Sequence, residues 1–335
     1  MISEQVKTYR LDGEIRMLAP LSHIGESHGT DSYLAEQVVI GPDGQPQEVF
    51  VYSGNAFRGM MRDCGMRYLL DRLGGLQVPV ETFHLLFSGG SLGSKTFVDI
   101  EQARLYRKLL PLFSILGGGT GNQIISGKLR VGQLYPITEE CKRILPSQYH
   151  DQDLPSWRQW TVDLSFTRKD DTKDERLRQY LMGLEAPEQQ LMLETSAEPT
   201  KKASKKEDDG PAQQMRYTVE CLAAGSVLYQ RIELIDVTEL ELGAWVSCLA
   251  KWSQSPYLGG KSNIGFGLCE ASWQYIIPGE DEEWKPFVTI KDGQCLMSPM
   301  PQQAMETYDR FLLSLYQAYL DNSQAEIKML LAGEA

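Results

Sequence analysis

The sequence of 335 residues predicts an α+β fold, because strand patterns and helix patterns both recur along it. Apolar and polar residues alternate in several stretches, as they do in antiparallel strands; RYTVECLAAGSVLYQRIELI is one of them. Apolar residues repeat at helical spacing in others, such as ELELGAWVSCLAKW. The apolar fraction of 42% allows a large core, in one elaborated domain or two closely packed ones.

Composition narrows the class of protein. No apolar stretch reaches the roughly 18 to 20 residues of a membrane span, and MISEQVKTYR lacks the apolar region of a signal peptide, so we expect a cytoplasmic protein. The six cysteines are scattered singly, without CxxC pairs. We therefore expect reduced, mostly buried thiols rather than a zinc ribbon or a disulfide framework.

The charge is unevenly distributed. The whole chain has a net charge of −12, which by itself argues against a nucleic-acid partner. Residues 53–135, however, contain ten Lys and Arg and five Asp and Glu, so this stretch is +5 and the remainder −17. A basic strip on an acidic body is compatible with nucleic-acid binding; scattered surface charge is the alternative.

The first predicted elements are a strand in TYRLDGEIRML and a hairpin in AEQVVIGPDGQPQEVFVYSG, whose turn lies near Asp43-Gly44. A helix follows in SGNAFRGMMRDCGMRYLLDRLGG; Ser53 or Asn55 is its N-cap, and Gly74-Gly75 ends it. A second helix is predicted for residues 99–110, between two glycine-rich stretches, and ISGKLRVGQLYPI alternates as a strand.

Residues 165–215 are rich in charge and low in apolar content, which is typical of an insertion with a mobile tip. After it, two strands form a predicted hairpin with its turn at Ala223–Gly225, followed by the helix in ELELGAWVSCLAKW. A glycine loop then leads into a strand, and EDEEWKPF is predicted to be a solvated linker. Residues 302–331 have the pattern of an amphipathic helix packed on its own domain.

The start of the SGNAFRGMMRD helix is a candidate anion site. The unpaired N–H groups of a first helical turn favour an anion. Arg58 and Arg62 are one turn apart and share a face, so together they are suited to two successive phosphates of a nucleic acid. An ordinary capped helix with surface arginines is the alternative.

The stretch GGKSNIGFG is a second candidate. Its glycines let the backbone approach a ligand closely, and Lys261, Ser262 and Asn263 offer donors. The spacing GxxxxGK[ST] of a phosphate-binding ATPase loop is absent, which argues against ATP. A glycine-rich hairpin without a ligand is the alternative.

The stretch SHIGESHGTD is a third candidate, since it holds two of the four histidines. The side chains with metal-ligand chemistry are His23, Glu26, His28 and Asp31. A metal site needs ligands in fixed geometry, which a glycine-containing loop does not guarantee. Ser22, His23 and Ser27 are equally suited to hydrogen bonds with phosphates or 2′-hydroxyls.

The order of these motifs resembles the RAMP superfamily of CRISPR effector proteins, and within it the backbone subunits that line a guide RNA. The matching residues are Ser53, Gly54, Arg58, Gly59 and Arg62 in the turn and helix, the SGKLRV strand, Glu220, Gly225 and Ser226 in an E-x-x-x-x-G-S motif, and Gly259, Gly260, Gly265 and Gly267 in the late loop. The likeness covers most of residues 10–275. It is closest to the type IV form, with type III and type I-D subunits as the near alternatives.

The resemblance implies a ferredoxin-like, RRM-related core, called the palm, in residues 1–164 and 216–278. It further implies an inserted finger region around 83–125 and a β-hairpin thumb at 165–215. Residues 279–335 would form an acidic linker and a C-terminal helix.

The resemblance also implies a function, without a cofactor or metal. The chain would bind a CRISPR guide RNA and polymerise head to tail along it. It would present the guide for pairing with target DNA or RNA, together with other effector-complex subunits and away from any membrane. The implied RNA contacts are Ser22, His23, Gly25, Ser53, Asn55, Arg58, Arg62, Lys128, Arg130, Gly259, Gly260, Lys261, Ser262 and Asn263.

Two other functions stay open. Type III backbone subunits cut target RNA with an aspartate in the loop after the first strand, and Asp31 lies in the corresponding loop. The alternative is therefore a metal-dependent RNA endonuclease that uses Asp31, although we expect a non-catalytic subunit. A scaffold protein unrelated to RNA, whose glycine loops are only tight turns, is the third possibility.

Overall fold

The computed structural model of the protein describes residues 5–90, 100–120, 122–168, 215–321, 323 and 325–332. Most of the predicted thumb and part of the predicted fingers therefore lie outside the described residues. None of the helices in the described ranges combines the length and the hydrophobicity of a membrane-spanning segment.

The structure is of the α+β class, as predicted. The strands are β1 (Lys7–Met17), β2 (Ile24–His28), β3 (Asp31–Leu34), β4 (Glu36–Ile40), β5 (Pro46–Phe50), β6 (Gly118–Thr120), β7 (Gln123–Ile125), β8 (Leu129–Val131), β9 (Tyr135–Pro136), β10 (Thr161–Arg168), β11 (Met215–Leu222), β12 (Val227–Val237), β13 (Cys269–Ile276), β14 (Lys285–Lys291) and β15 (Gln294–Met297). The α-helices are α1 (Gly54–Arg72), α2 (Val80–Phe83), α3 (Ile100–Leu109), α4 (Pro111–Leu116), α5 (Glu239–Trp252), α6 (Pro299–Leu320) and α7 (Ala325–Ala332).

A central antiparallel sheet has the order β15-β14-β13-β1-β12-β8, and β9 also pairs with β12. Helices α1 and α5 cover one face of it. The ring of Phe57 in α1 lies 5.9 Å from that of Trp252 in α5 and 6.4 Å from that of Trp273 in β13. A Cβ at Gly13 of β1 would lie 2.2 Å from Cδ1 of Trp273, so only glycine leaves room for the indole in this core.

The local signals in the N-terminal third are confirmed. The β4–β5 hairpin turns at Gly44, which has a φ of +82°, and Gly44 donates its N–H to the carbonyl of Gly41. Ser53 is the N-cap of α1, where its side chain accepts from the N–H of Ala56. Gly74 and Gly75 follow the helix with φ values of +74°.

The predicted hairpin around Ala223–Gly225 is wrong. Strand β11 belongs to a second sheet of order β10-β11-β3-β2, whereas β12 pairs along its length with β1 in the central sheet. The turn, with Gly225 at φ +95°, redirects the chain from one sheet to the other. Alternation specifies a strand but not its neighbour, and that is why the sequence suggested a hairpin.

The C-terminal part differs from the expected acidic linker and helix. Strands β14 and β15 extend the central sheet beyond β13. Helix α6 packs on α5, and a Cβ at Gly243 would lie 2.0 Å from the carbonyl oxygen of Ala304. Tyr308 and Leu312 of α6 are fully buried, which confirms that this helix packs on its own domain.

Candidate nucleic-acid interface

Three segments far apart in sequence meet at one end of β1. They are Pro20–His23, Tyr52–Asn55 at the start of α1, and the glycine loop, which we define as Leu258–Gly267. The N–H of Gly260 donates to the carbonyl of Ser22 at 2.9 Å, and the N–H of Gly267 donates to that of Pro20 at 2.8 Å. The N–H of Gly259 donates to the hydroxyl of Tyr52 at 3.4 Å. The structure thus brings together parts of all three candidate stretches, SHIGESHGTD, SGNAFRGMMRD and GGKSNIGFG.

His23 connects the first two segments. Its ring lies 4.4 Å from that of Tyr52, and its Nε2 accepts a hydrogen bond from the N–H of Ser53 at 3.3 Å. An accepting Nε2 carries no proton, and burial lowers the pKa of His23, so the side chain is neutral at pH 7. Ser22 beside it is fully buried, and it holds the glycine loop through its carbonyl, whereas its hydroxyl has no hydrogen-bond partner in the described part of the chain.

The start of α1 is fixed to the edge of the central sheet. The N–H of Gly54 donates to Oε1 of Gln133 at 2.6 Å, and a Cβ at Gly54 would lie 2.6 Å from the carbonyl oxygen of Gly132. Because the N–H of Ala56 is bonded to Ser53, two of the first-turn donors that were expected to favour an anion already have protein partners. Asn55 is exposed at this helix start.

The glycine loop has a tight neck and an exposed tip. At the neck, Gly259 and Gly267 have φ values of +73° and +84°, and added Cβ atoms would lie 2.2 Å and 1.9 Å from the carbonyl oxygens of Ser22 and Leu258. Only glycine fits at both positions.

The tip, which we define as Lys261–Gly265, is a short 3₁₀ turn between two left-handed residues. Lys261 has φ +62° and Gly265 has φ +89°. All five tip residues are exposed, so the side chains of Lys261, Ser262 and Asn263 are accessible. Within the described residues, the ammonium of Lys261 has no ion-pair partner, which leaves its charge available to a ligand.

Arg58 and Arg62 share a face of α1, as predicted, but they point at protein backbone. Both guanidinium groups donate through Nη2 to the carbonyl of Leu116, and Arg62 also donates to that of Gly117 at 2.8 Å. Arg62 is only 8% exposed, so it is not the surface arginine of the alternative interpretation. Its burial, and secondarily the charge of Arg58, lowers the pKa of Arg62 to about 10, so it is still charged at pH 7.

These two arginines line a concavity of about 370 Å³, which we call the arginine pocket. Its other described lining residues are Ser88, Gly89, Gly90, Gly117, Gly118, Gly119, Ile124, Ile125, Ser126 and Gly127. No carboxylate is present among them, and Nη1 of Arg62 is buried without a hydrogen-bond partner in the described part of the chain. Two cations, with no carboxylate among the described lining residues, favour an anion in this pocket.

Lys128 and Arg130 lie at the edge of the central sheet and are not equivalent. Nζ of Lys128 lies 2.7 Å from Oε2 of Glu241 and donates to the carbonyl of Asp236, which fixes it beside the start of α5. Arg130 is 73% exposed, and its nearest carboxylate, Glu233, is 3.7 Å away. Arg130 therefore remains accessible to a ligand, whereas Lys128 is committed to the fold.

The hairpin β2–β3 carries Gly25 and Asp31. Asp31 begins β3, paired with Thr218 of β11 on one side and His28 of β2 on the other. Among the described residues, no group of three or more His, Cys, Asp and Glu side chains is placed to hold a metal. Gly25 is exposed on β2, beside the backbone of Ala35.

Sequence reasoning did not identify Tyr52, Gln133 or Phe266 as parts of this region. Phe266 is 3% exposed and lies directly after the tip. It packs in a small separate core with Val219 and Cys221 of β11, and its ring lies 5.8 Å from that of Phe166 in β10. These contacts connect the glycine loop to β10 and β11, the strands on either side of residues 169–214. No local sequence signal predicted the contacts, because they depend on the pairing of strands in the second sheet.

No protein-family model matches the chain, and no curated protein matches it significantly. Among solved structures, a chain of a type IV-B CRISPR complex matches with a TM-score of 0.53 and 20% sequence identity, over 82% of this chain and 93% of that one. The chain has the fold of a CRISPR-complex subunit.

The shared fold confirms, at the level of architecture, the resemblance to CRISPR effector proteins that the motif order indicated. Csc2 of Thermofilum pendens is a more distant match, with a TM-score of 0.40 and 13% identity over 100% of this chain and 83% of that one.

Proposed function

We propose that the chain is a guide-RNA-binding backbone subunit of a type IV-like CRISPR ribonucleoprotein. One observation supports the proposal. Pro20–His23, the start of α1 and the glycine loop meet at one end of β1, in a chain that has the fold of a CRISPR-complex subunit. The loop presents exposed donors there, and RNA backbones are bound by such donors through phosphates and 2′-hydroxyls.

The palm, in this proposal, is ferredoxin-like. Its support is the strand order β13-β1-β12-β8, with α1 between β1 and β8 and α5 between β12 and β13. Residues 1–164 and 216–278 would form it, with fingers around 83–125 and a thumb at 165–215. We add β14 and β15 to the palm, because they continue its sheet.

The proposed RNA contacts divide by accessibility. Asn55, Arg130 and the tip of the glycine loop are exposed, so we assign them direct contacts with the RNA backbone. Ser22, His23 and Lys128 are engaged within the protein, so we assign them the role of holding these contacts in place. The arginine pocket would take a phosphate, since Arg58 and Arg62 line it and no carboxylate is among its described lining residues.

Assembly follows the same proposal. Copies of the chain would stack head to tail along one guide, with other complex subunits, and target DNA or RNA would be recognised by pairing with the guide. The acidic remainder of the chain, at −17, would disfavour RNA elsewhere on the surface.

RNA binding is tested with protein freed of co-purified nucleic acid. Single-stranded RNA should bind with an affinity that falls steeply with salt and depends little on sequence. The double variant Asn55→Ala/Lys261→Ala should bind at least about tenfold more weakly, since it loses one phosphate-binding cation and one donor. Lys291→Ala, an exposed lysine on β14, serves as the control and should bind like the wild type. Salt-independent binding, or a double variant equal to the control, would refute the proposal.

The endonuclease alternative has no observation in its favour in the described structure. It is tested by incubating the assembled complex with complementary RNA and magnesium. The proposed subunit leaves the RNA intact, whereas regularly spaced cuts that disappear in Asp31→Ala would establish cleavage.

A further inference from the structure

The tip of the glycine loop exposes one large apolar side chain, Ile264, which is 57% exposed. It follows directly after Lys261, Ser262 and Asn263, whose side chains are polar donors. A single exposed isoleucine is common on protein surfaces and means little alone. What distinguishes Ile264 is how rigidly the structure holds it.

The turn itself fixes the backbone of Ile264. The N–H of Ile264 donates to the carbonyl of Lys261 at 3.0 Å, and the N–H of Gly265 donates to that of Ser262 at 3.0 Å. Lys261 adopts a left-handed conformation, which is disfavoured for a non-glycine residue. Backbone strain of this kind persists only where the surrounding structure imposes it.

The loop is also fixed from below. Its neck is closed by the hydrogen bond from the N–H of Leu258 to the carbonyl of Gly267, at 2.9 Å. Immediately after the tip, Phe266 is buried in the small core beside β11. Ile264 is therefore exposed on a turn that is fixed by the hydrogen bond at the neck and by the burial of Phe266.

We propose that Ile264 is an apolar contact for a nucleobase or its ribose, placed while Lys261 holds the adjoining phosphate. This inference rests on the proposed function, since it names which part of a nucleotide the tip recognises. A rigid apolar group pays little conformational entropy when a base packs on it, and such packing tolerates any sequence because every base has an apolar face.

The test compares two oligomers of equal length, a single-stranded RNA and a ribose-phosphate chain without bases. Ile264→Ala should weaken binding of the RNA about fivefold, through lost apolar contact, and leave binding of the abasic chain unchanged. Lys261→Ala should weaken both oligomers and reduce the salt slope by about 0.7. The matched control is Leu296→Ala, since Leu296 is 55% exposed on β15, and it should change neither.

The outcomes separate the two proposals. If the wild type binds neither oligomer, the proposed function is wrong and this inference falls with it. If the wild type binds RNA but Ile264→Ala binds both oligomers as the wild type does, or loses affinity equally for both, only the role of Ile264 is overturned. Ile264→Ala should keep the melting temperature of the wild type, because the side chain is exposed.

Discussion

The arginine pocket and the glycine loop both place cations beside glycines, but a charged side chain stabilises the pocket, whereas backbone hydrogen bonds stabilise the loop. In the pocket, the guanidinium of Arg62 is buried and holds the carbonyls of Leu116 and Gly117. In the loop, backbone contacts of Gly259, Gly260 and Gly267 hold the structure, and the cation of Lys261 is left exposed. Truncation of a cation should therefore damage stability in the pocket and RNA binding in the loop.

The largest expected effect is at the neck of the glycine loop. Gly267→Ala would place a Cβ 1.9 Å from the carbonyl oxygen of Leu258 at a φ of +84°, so the free energy of unfolding should fall by about 3 kcal/mol or more. The control is Gly265→Ala, where φ is +89° but no atom lies within 4 Å of the added Cβ, and it should cost only about 1 kcal/mol. Urea unfolding measures both. Equal losses would show that the neck contact is unimportant.

The next effect is in the pocket. Arg62→Ala should lower the free energy of unfolding by about 2 to 3 kcal/mol, because it removes two buried hydrogen bonds from a charged donor. Arg67→Ala, on the exposed face of the same helix, should change it by less than about 0.5 kcal/mol. Thermal unfolding of the two variants makes the comparison. If Arg62→Ala were as stable as the wild type, Arg62 would not stabilise the pocket.

A smaller effect concerns pH. The folded protein holds His23 neutral, with its pKa lowered by burial, so its contribution to stability is present above the usual value of 6.5 and is lost as pH falls through the lowered pKa. Protonation removes the acceptor for the N–H of Ser53, at a cost of about 1 kcal/mol. The melting temperature should fall more between neutral and acidic pH for the wild type than for His23→Asn. Parallel pH profiles would contradict this role.

The smallest expected effect is a gain in stability, at Lys261. Lys261→Gly removes a left-handed non-glycine residue and should change the free energy of unfolding by at most about 1 kcal/mol, in the stabilising direction. RNA affinity should nevertheless fall, because the exposed cation is gone. Lys261→Ala should lose affinity equally without the gain in stability. Urea unfolding and RNA titration of both variants test the division of roles in the loop.

Local features were predictable from the sequence because their signals are local. The cap at Ser53, the end of α1 at Gly74 and the turn at Gly44 each follow from one residue type at one position. Strands β14 and β15 also had such a signal, since Asp292-Gly293 is a two-residue hairpin turn and both residues have positive φ. The EDEEWKPF stretch was predicted to be a linker because it is acidic, although its last three residues begin β14.

The candidate site was predictable only in its parts. Its segments were identified separately, but their meeting depends on β1 lying beside β13, which no local pattern specifies. The burial of Arg62 depends on the end of α4, more than 50 residues away along the chain. The neighbours of β11 and β12 were likewise undetermined, because alternating strands look the same in either sheet.

The strands β14 and β15 bear on how the protein can be shortened. A chain cut after residue 278 would leave β13 with one unpaired backbone edge and would uncover the side chains that Phe287 and Tyr308 now shield. Unpaired edges of this kind recruit further strands, and the fragment would aggregate rather than persist as an independent domain. Recombinant work on the palm therefore has to retain the C-terminal sixth of the polypeptide.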